Sequence, residues 1–397
     1  MNNFLLDLAL ILMCTKALGL LTRRFQMPQV VGALLAGLIL GPAVLNFLQT
    51  SDFISDLAEV GVIVLMFSAG LETDIKGMKK CGKASFVIAL LGVLVPLAGG
   101  FLVAYFFNGK IIESDATGTL FMQNIFIGVI LTATSVSITV ETLKELGKLN
   151  VPAGNAILGA AIIDDILGII ALTIVTSLAD PSGDTNVGMV LFKIVAFFIL
   201  AAAVGYVFYR IYKTWTERAE KNLRRFVMAA FVFCLLLSYV AEEYFGVADI
   251  TGAYLAGVVI SQTQRSDYIE ARFGTLSYIL LSPVFFASIG INVVLPEMTT
   301  PIVLFSVILV AVAILAKIIG CGLGAKLFRY SNRECLQIGA GMISRGEVAL
   351  IVANKGAEVG LMPSNLMGPI IIMVIATTIV APIFLKLTFK EKKEQAV

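Results

Sequence analysis

Residues 161–170 read AIIDDILGII. They lie inside an apolar run over 152–179 that has the length of a bilayer-spanning helix, about 20 residues or more, yet carries Asp164 and Asp165 near its middle. A carboxylate at that depth costs several kcal/mol by insertion scales, so such a helix turns its acids toward the interior of a bundle, and they are functional candidates by default. Successive helix positions project about 100° apart. The two carboxylates therefore cannot serve one partner: one can pair with a cation while the other faces a pathway.

The rest of the chain supplies the bundle. Of its 397 residues 58% are hydrophobic and 14% charged, with a mean hydropathy of +0.95, against roughly one half and one quarter in soluble domains. Thirteen apolar segments follow one another, near 4–22, 29–48, 55–72, 84–107, 121–142, 152–179, 187–212, 226–243, 249–263, 275–294, 301–325, 335–357 and 363–388. The loops between them are too short to hold a soluble domain. The net charge of +2 gives no nucleic-acid surface, because the basic residues lie in those loops. Histidine is absent, and the five cysteines show no metal-type spacing, so neither a cofactor nor a transition metal is expected.

No Lys or Arg precedes the first segment, whereas Arg23 and Arg24 follow it. It reads as a retained helix with its N-terminus outside. Alternate loops then carry Lys76–Lys83, Lys144 and Lys148, Lys213–Arg225, Arg265 and Arg272, Lys326–Arg333 and Lys386–Lys393, while the opposite loops carry Asp52, Asp56, Glu113, Asp115, Asp180, Asp184, Glu243, Asp249 and Glu297. Because basic residues stay cytoplasmic, this pattern predicts thirteen spans in a plasma membrane, with the C-terminus and a tail at 391–397 inside.

An internal repeat is legible too. GALLAGLI at 32–39 recurs as GAYLAGVV at 252–259, pairing Gly37 with Gly257 at an offset of 220, and the same offset pairs Ser68 with Ser288 and Gly70 with Gly290. Thirteen spans divide into six, a linker at 187–212 and six, so the second half enters the membrane in the opposite direction. The expected fold class is an all-α polytopic membrane protein with two inverted-topology six-helix repeats, a recurrent build of secondary transporters.

The fifth segment of each half is interrupted. One contains TATSVSIT at 132–139, with Thr132, Thr134 and Ser135; the other contains GAGMISRGEVAL at 339–350, with Ser344, Arg345 and Glu347. Helices broken at corresponding places of two repeats point to a site at the membrane midplane. Lys317, deep in the segment 301–325, is the candidate cation for the aspartate pair. Arg345 and Glu347 either pair with each other or offset half-helix dipoles.

On TATSVSIT, LGAAIIDDILGII at 158–170, Lys317 in AKIIGCGLGAKL and GMISRGEVALIVA at 341–353, the chain resembles the monovalent cation/proton antiporter superfamily over essentially its full length, and NapA-type sodium/proton antiporters of the electrogenic branch most closely. The resemblance implies an NhaA/NapA-like fold with broken crossing helices, elevator-type exchange of Na+ or Li+ for H+, and a homodimer in membrane lipid. It assigns 1–72 and 226–294 to a dimerisation domain, 187–212 to a linker, and 84–179 and 301–390 to a core domain. It further implies that Asp165 binds the transported Na+ with Asp164 nearby, and that Asp164 pairs with Lys317. K+/H+ exchange is the alternative within the superfamily. An intramembrane aspartyl protease is the remote one; it needs two aspartates facing each other from different helices to share a proton.

Overall fold

The computed structural model describes residues 4–24, 27–73, 75–179, 187–218, 224–293 and 299–390. Asp180, Asp184, Lys221, Glu297 and the tail at 391–397, all used in the orientation argument, lie outside the described residues. The described chain is helical throughout: α1 (Phe4–Arg24), α2 (Gln29–Leu40), α3 (Asp52–Leu71), α4 (Ile75–Phe107), α5 (Leu120–Thr132), α6 (Val136–Glu145), α7 (Pro152–Ala179), α8 (Val187–Arg218), α9 (Arg224–Phe245), α10 (Asp249–Ser261), α11 (Ser266–Leu276), α12 (Ser282–Ile291), α13 (Thr300–Leu327), α14 (Asn332–Gly341), α15 (Glu347–Glu358) and α16 (Met367–Phe389). A π-helical turn, Ser277–Leu281, joins α11 to α12.

Ten helical segments among the described residues are long and apolar enough to cross a bilayer, which makes the chain a multi-pass membrane protein. Three of the thirteen expected spans are shorter: α2, α10 and the apolar stretch Val348–Ala357. At 1.5 Å per residue, the 12 residues of α2 reach roughly 18 Å of a hydrocarbon core about 30 Å thick. The expected span 29–48 is thus a helix only as far as Leu40. Pro42 has no N–H to continue the ladder, and the chain doubles back, with the Phe47 and Leu48 amides both donating to the Leu40 carbonyl at 2.9 Å. Of the apolar residues beyond it, Val44, Leu45 and Phe47 are exposed, whereas Leu48 turns into the core and packs with Ile11, Leu40, Ile54, Val284, Ala287 and Ile291.

The chain divides into two compact units. The first takes residues 1–18, 33–80 and 165–294; the second takes 19–32, 81–164 and 295–397. In the first, two helix crossings are so tight that no side chain fits. A methyl group at Gly37 would fall 1.9 Å from the Ala287 carbonyl oxygen, and one at Gly290 would fall 2.6 Å from that of Leu34. At the other crossing a methyl group at Gly257 would fall 2.2 Å from the Phe67 carbonyl oxygen, and one at Gly70 would fall 2.2 Å from that of Tyr254. Adding or subtracting 220 turns each of these contacts into its counterpart.

In the second unit the loop between α4 and α5 is clamped to the turn before α16. The Asp115 carboxylate accepts from the Ser364 amide at 2.9 Å and from the Ser364 hydroxyl, and the Gly118 amide donates to the Gly360 carbonyl at 2.9 Å. These bonds from Ser364 hold the Asp115 carboxyl below its ordinary value of 3.8. A carboxylate depressed by folding contributes stability above its unfolded pKa and loses it as pH falls through the folded one. Hydrogen exchange at the Ser364 amide, taken relative to the intrinsic rate at each pH, is therefore expected to be slow above about pH 4 and to lose that protection only below it. In Asp115→Ala it should be fast at every pH; equal protection in the two proteins would remove the clamp.

Candidate functional site

Two breaks in the helices build the site. The first lies between α5 and α6, where Ala133 (φ −54°, ψ 137°) and Ser135 (φ −88°, ψ 103°) are extended. The second lies between α14 and α15, at residues 342–346, where Gly346 is extended at φ −135°, ψ −144°. Freed backbone groups at membrane depth must find partners, since lipid offers none, and here the two breaks satisfy each other. The Ser135 amide donates to the Ser344 carbonyl at 2.8 Å, and the Ser344 hydroxyl donates to the Ser135 carbonyl at 2.8 Å. Thr139, on the first turn of α6, donates to the Gly341 carbonyl at 2.6 Å.

Arg345 fastens this crossing from inside. Its side chain is fully buried and donates to the carbonyls of Ile343 at 2.8 Å, Leu131 at 2.7 Å and Ala313 at 3.1 Å. Leu131 belongs to the last turn of α5, where unpaired carbonyls concentrate negative partial charge, so the guanidinium offsets a half-helix end. Glu347 opens α15, and its side chain lies outside the described residues. The Thr132 hydroxyl turns back to the Val129 carbonyl of its own helix at 2.7 Å, whereas the buried Thr134 hydroxyl interacts with the Asp164 carboxylate.

Beside the crossing, α7 and α13 bring Asp164 and Lys317 together. The Lys317 ammonium donates to both carboxylate oxygens of Asp164, at 2.9 and 3.0 Å, and the two side chains are 1% exposed or less. Gly92 of α4 makes room for the pair. A methyl group there would stand 3.7 Å from Asp164 Oδ1 and 3.9 Å from Lys317 Nζ, and would meet Cys321 Sγ at 2.6 Å. Asp165, the next residue on α7, is half-buried. Asp164 and Asp165 thus have different surroundings, one closed over a lysine and the other partly open.

A protein-family profile described as "Sodium/hydrogen exchanger, transmembrane" matches residues 9–391. The chain belongs to this family. Sodium/hydrogen exchangers are transporters, and the aspartyl protease reading falls with that membership. The Na(+)/H(+)-K(+) antiporter GerN of Bacillus cereus is 38% identical over 392 residues, covering 98% of this chain and 97% of that protein. The Na(+)/H(+) antiporter of Enterococcus hirae is 36% identical over 392 residues, covering 97% of each. The solved structure of the sodium proton antiporter MjNhaP1 from Methanocaldococcus jannaschii has the same fold, with a TM-score of 0.68 at 18% identity over 96% of this chain and 98% of that one.

In this sodium/hydrogen exchanger some residues of the site carried no sequence signal. Gly92 is one small residue among many in an apolar run. Thr139 belongs to the polar run but reads like its neighbours until the crossing gives it Gly341. Thr378 of α16, whose hydroxyl donates to the Arg345 carbonyl, lies in a segment that otherwise reads as plain bilayer-spanning helix.

Proposed function

We propose that the chain exchanges Na+ or Li+ for H+ across the plasma membrane by alternating access, and that Asp165 carries either ion in turn. The observation that carries this reading is the buried Asp164–Lys317 pair. Asp164 is committed to an ammonium, so the proton and the metal ion compete for its neighbour, and a carboxylate that can hold one or the other but not both couples two fluxes. A carboxylate oxygen is a hard donor of the kind that suits a hard cation.

The finer architecture belongs to the same reading. Contacts that interchange under one offset, Gly37 and Gly290 with Gly257 and Gly70, support the repeat; on the same reading it is an inverted one of thirteen membrane segments, and the basic loops put the N-terminus outside and the C-terminus inside. Residues 1–72 and 226–294 serve as the dimerisation domain of a homodimer, and residues 84–179 and 301–390 as the core domain, which moves with its ion in elevator fashion. Exchange is electrogenic, with more than one proton per sodium.

A K+/H+ reading has specific support in the naming of both Na+ and K+ for the relative from Bacillus cereus. Proton flux in proteoliposomes with Na+, Li+ or K+ as the only counter-ion decides. Flux with Na+ and Li+ supports the first reading, flux with K+ alone supports the second, and flux with none of the three ends both.

A further inference from the structure

Four carbonyls in and beside the second break have identified donors. Gly341 accepts from Thr139, Ile343 from the Arg345 guanidinium, Ser344 from the Ser135 amide, and Arg345 from the Thr378 hydroxyl. Three of these donors belong to the two breaks and the turn that follows the first. The fourth comes from α16, which the proposed exchange does not otherwise use.

Thr378 is unusual for a threonine inside a helix, because such hydroxyls ordinarily bond back to the carbonyl three or four residues earlier. Its neighbour Thr377 does so, to Met373 at 2.8 Å and Val374 at 3.1 Å. Thr378 instead reaches across to the break, and both are buried to within 1%. At this depth a carbonyl without a donor is costly, and it is also the kind of oxygen that coordinates an alkali cation. The Thr378 hydroxyl removes the Arg345 carbonyl from both conditions. It holds the strand that positions the Arg345 guanidinium over the end of α5 and the Ser344 carbonyl on Ser135.

We infer that Thr378 is a positioning residue of the exchange site, setting its cation affinity through the Arg345 carbonyl. The inference rests on the cation/proton exchange proposed above. Thr378→Val keeps the shape and loses the donor, so the apparent KM for Na+ should shift by roughly tenfold, the scale of one unsatisfied buried acceptor, with kcat at saturating Na+ changed far less. Thr378→Ser should restore the wild-type KM, and Thr377→Val should leave it unchanged.

The assay is Na+-dependent proton flux in proteoliposomes, with the wild type in every series. A silent wild type would overturn the exchange reading itself. An active wild type with an unshifted Thr378→Val, or a Thr378→Ser as impaired as Thr378→Val, would overturn this inference alone. If Thr378→Val does not accumulate in membranes, Thr378→Cys replaces it, since a thiol donates only weakly; the same shift in KM is expected, and its absence counts against the inference.

Discussion

Asp165→Asn is expected to yield a folded, membrane-inserted protein whose cation-dependent proton flux equals that of protein-free liposomes. The amide keeps the size of the carboxyl and remains on α7, but it neither takes up a proton nor offers a charge to a desolvated cation. If one carboxylate alternates between the two ions, losing its ionisation removes both half-reactions, and no residual coupled exchange survives. Because Asp164 is closed over Lys317 at 2.9 and 3.0 Å, it is poorly placed to substitute. Full sodium-dependent flux in this variant would take the transported ions away from Asp165.

The second large effect is expected at Lys317. Removing one partner of a buried ion pair leaves an uncompensated charge and costs about 3–5 kcal/mol, whereas removing both together is often close to neutral. Lys317→Gln should therefore lower the thermal stability of the purified protein sharply, and Asp164→Asn/Lys317→Gln should recover much of the loss. The same variant separates two schemes for electrogenic exchange. If Lys317 surrenders a proton in each cycle, exchange surviving in Lys317→Gln becomes electroneutral. If Lys317 stays protonated as a counter-charge to Asp164, surviving exchange remains electrogenic and only stability falls. An imposed membrane potential gives the readout, worth about 2.3 kcal/mol per net charge per 100 mV. Wild-type uptake indifferent to that potential would refute electrogenicity under either scheme.

Much of this arrangement was legible because the membrane penalises exceptions. Two aspartates, a lysine and an arginine in apolar runs have few explanations in a medium without water, and polar interruptions at 132–139 and 341–347 mark the backbone that lipid cannot solvate. The structure places Asp164 against Lys317 and crosses the two interruptions.

What the sequence concealed depends on contacts between distant residues. Residues 42–48 are apolar enough to read as span, yet the chain turns back at Leu40, burying Leu48 and leaving Val44, Leu45 and Phe47 exposed, because hydropathy alone does not mark where a helix ends. Thr132 and Thr378 are the same residue type in similar surroundings. One bonds to its own helix and the other to a break 33 residues away, and no local pattern separates them. Arg345 was open between pairing with Glu347 and offsetting a helix end; the carbonyls it binds belong to α5, to α13 and to its own strand, and only the fold brings these together.

Competition between a proton and a cation at Asp165 is the core of the account, and it can be measured without transport. Purified protein in weakly buffered detergent solution with a pH indicator, titrated with NaCl against an equal concentration of choline chloride, should release protons saturably as sodium binds. The release should vanish in Asp165→Asn and persist in Thr377→Val. Saturable sodium binding by the wild type with no proton released would contradict the account.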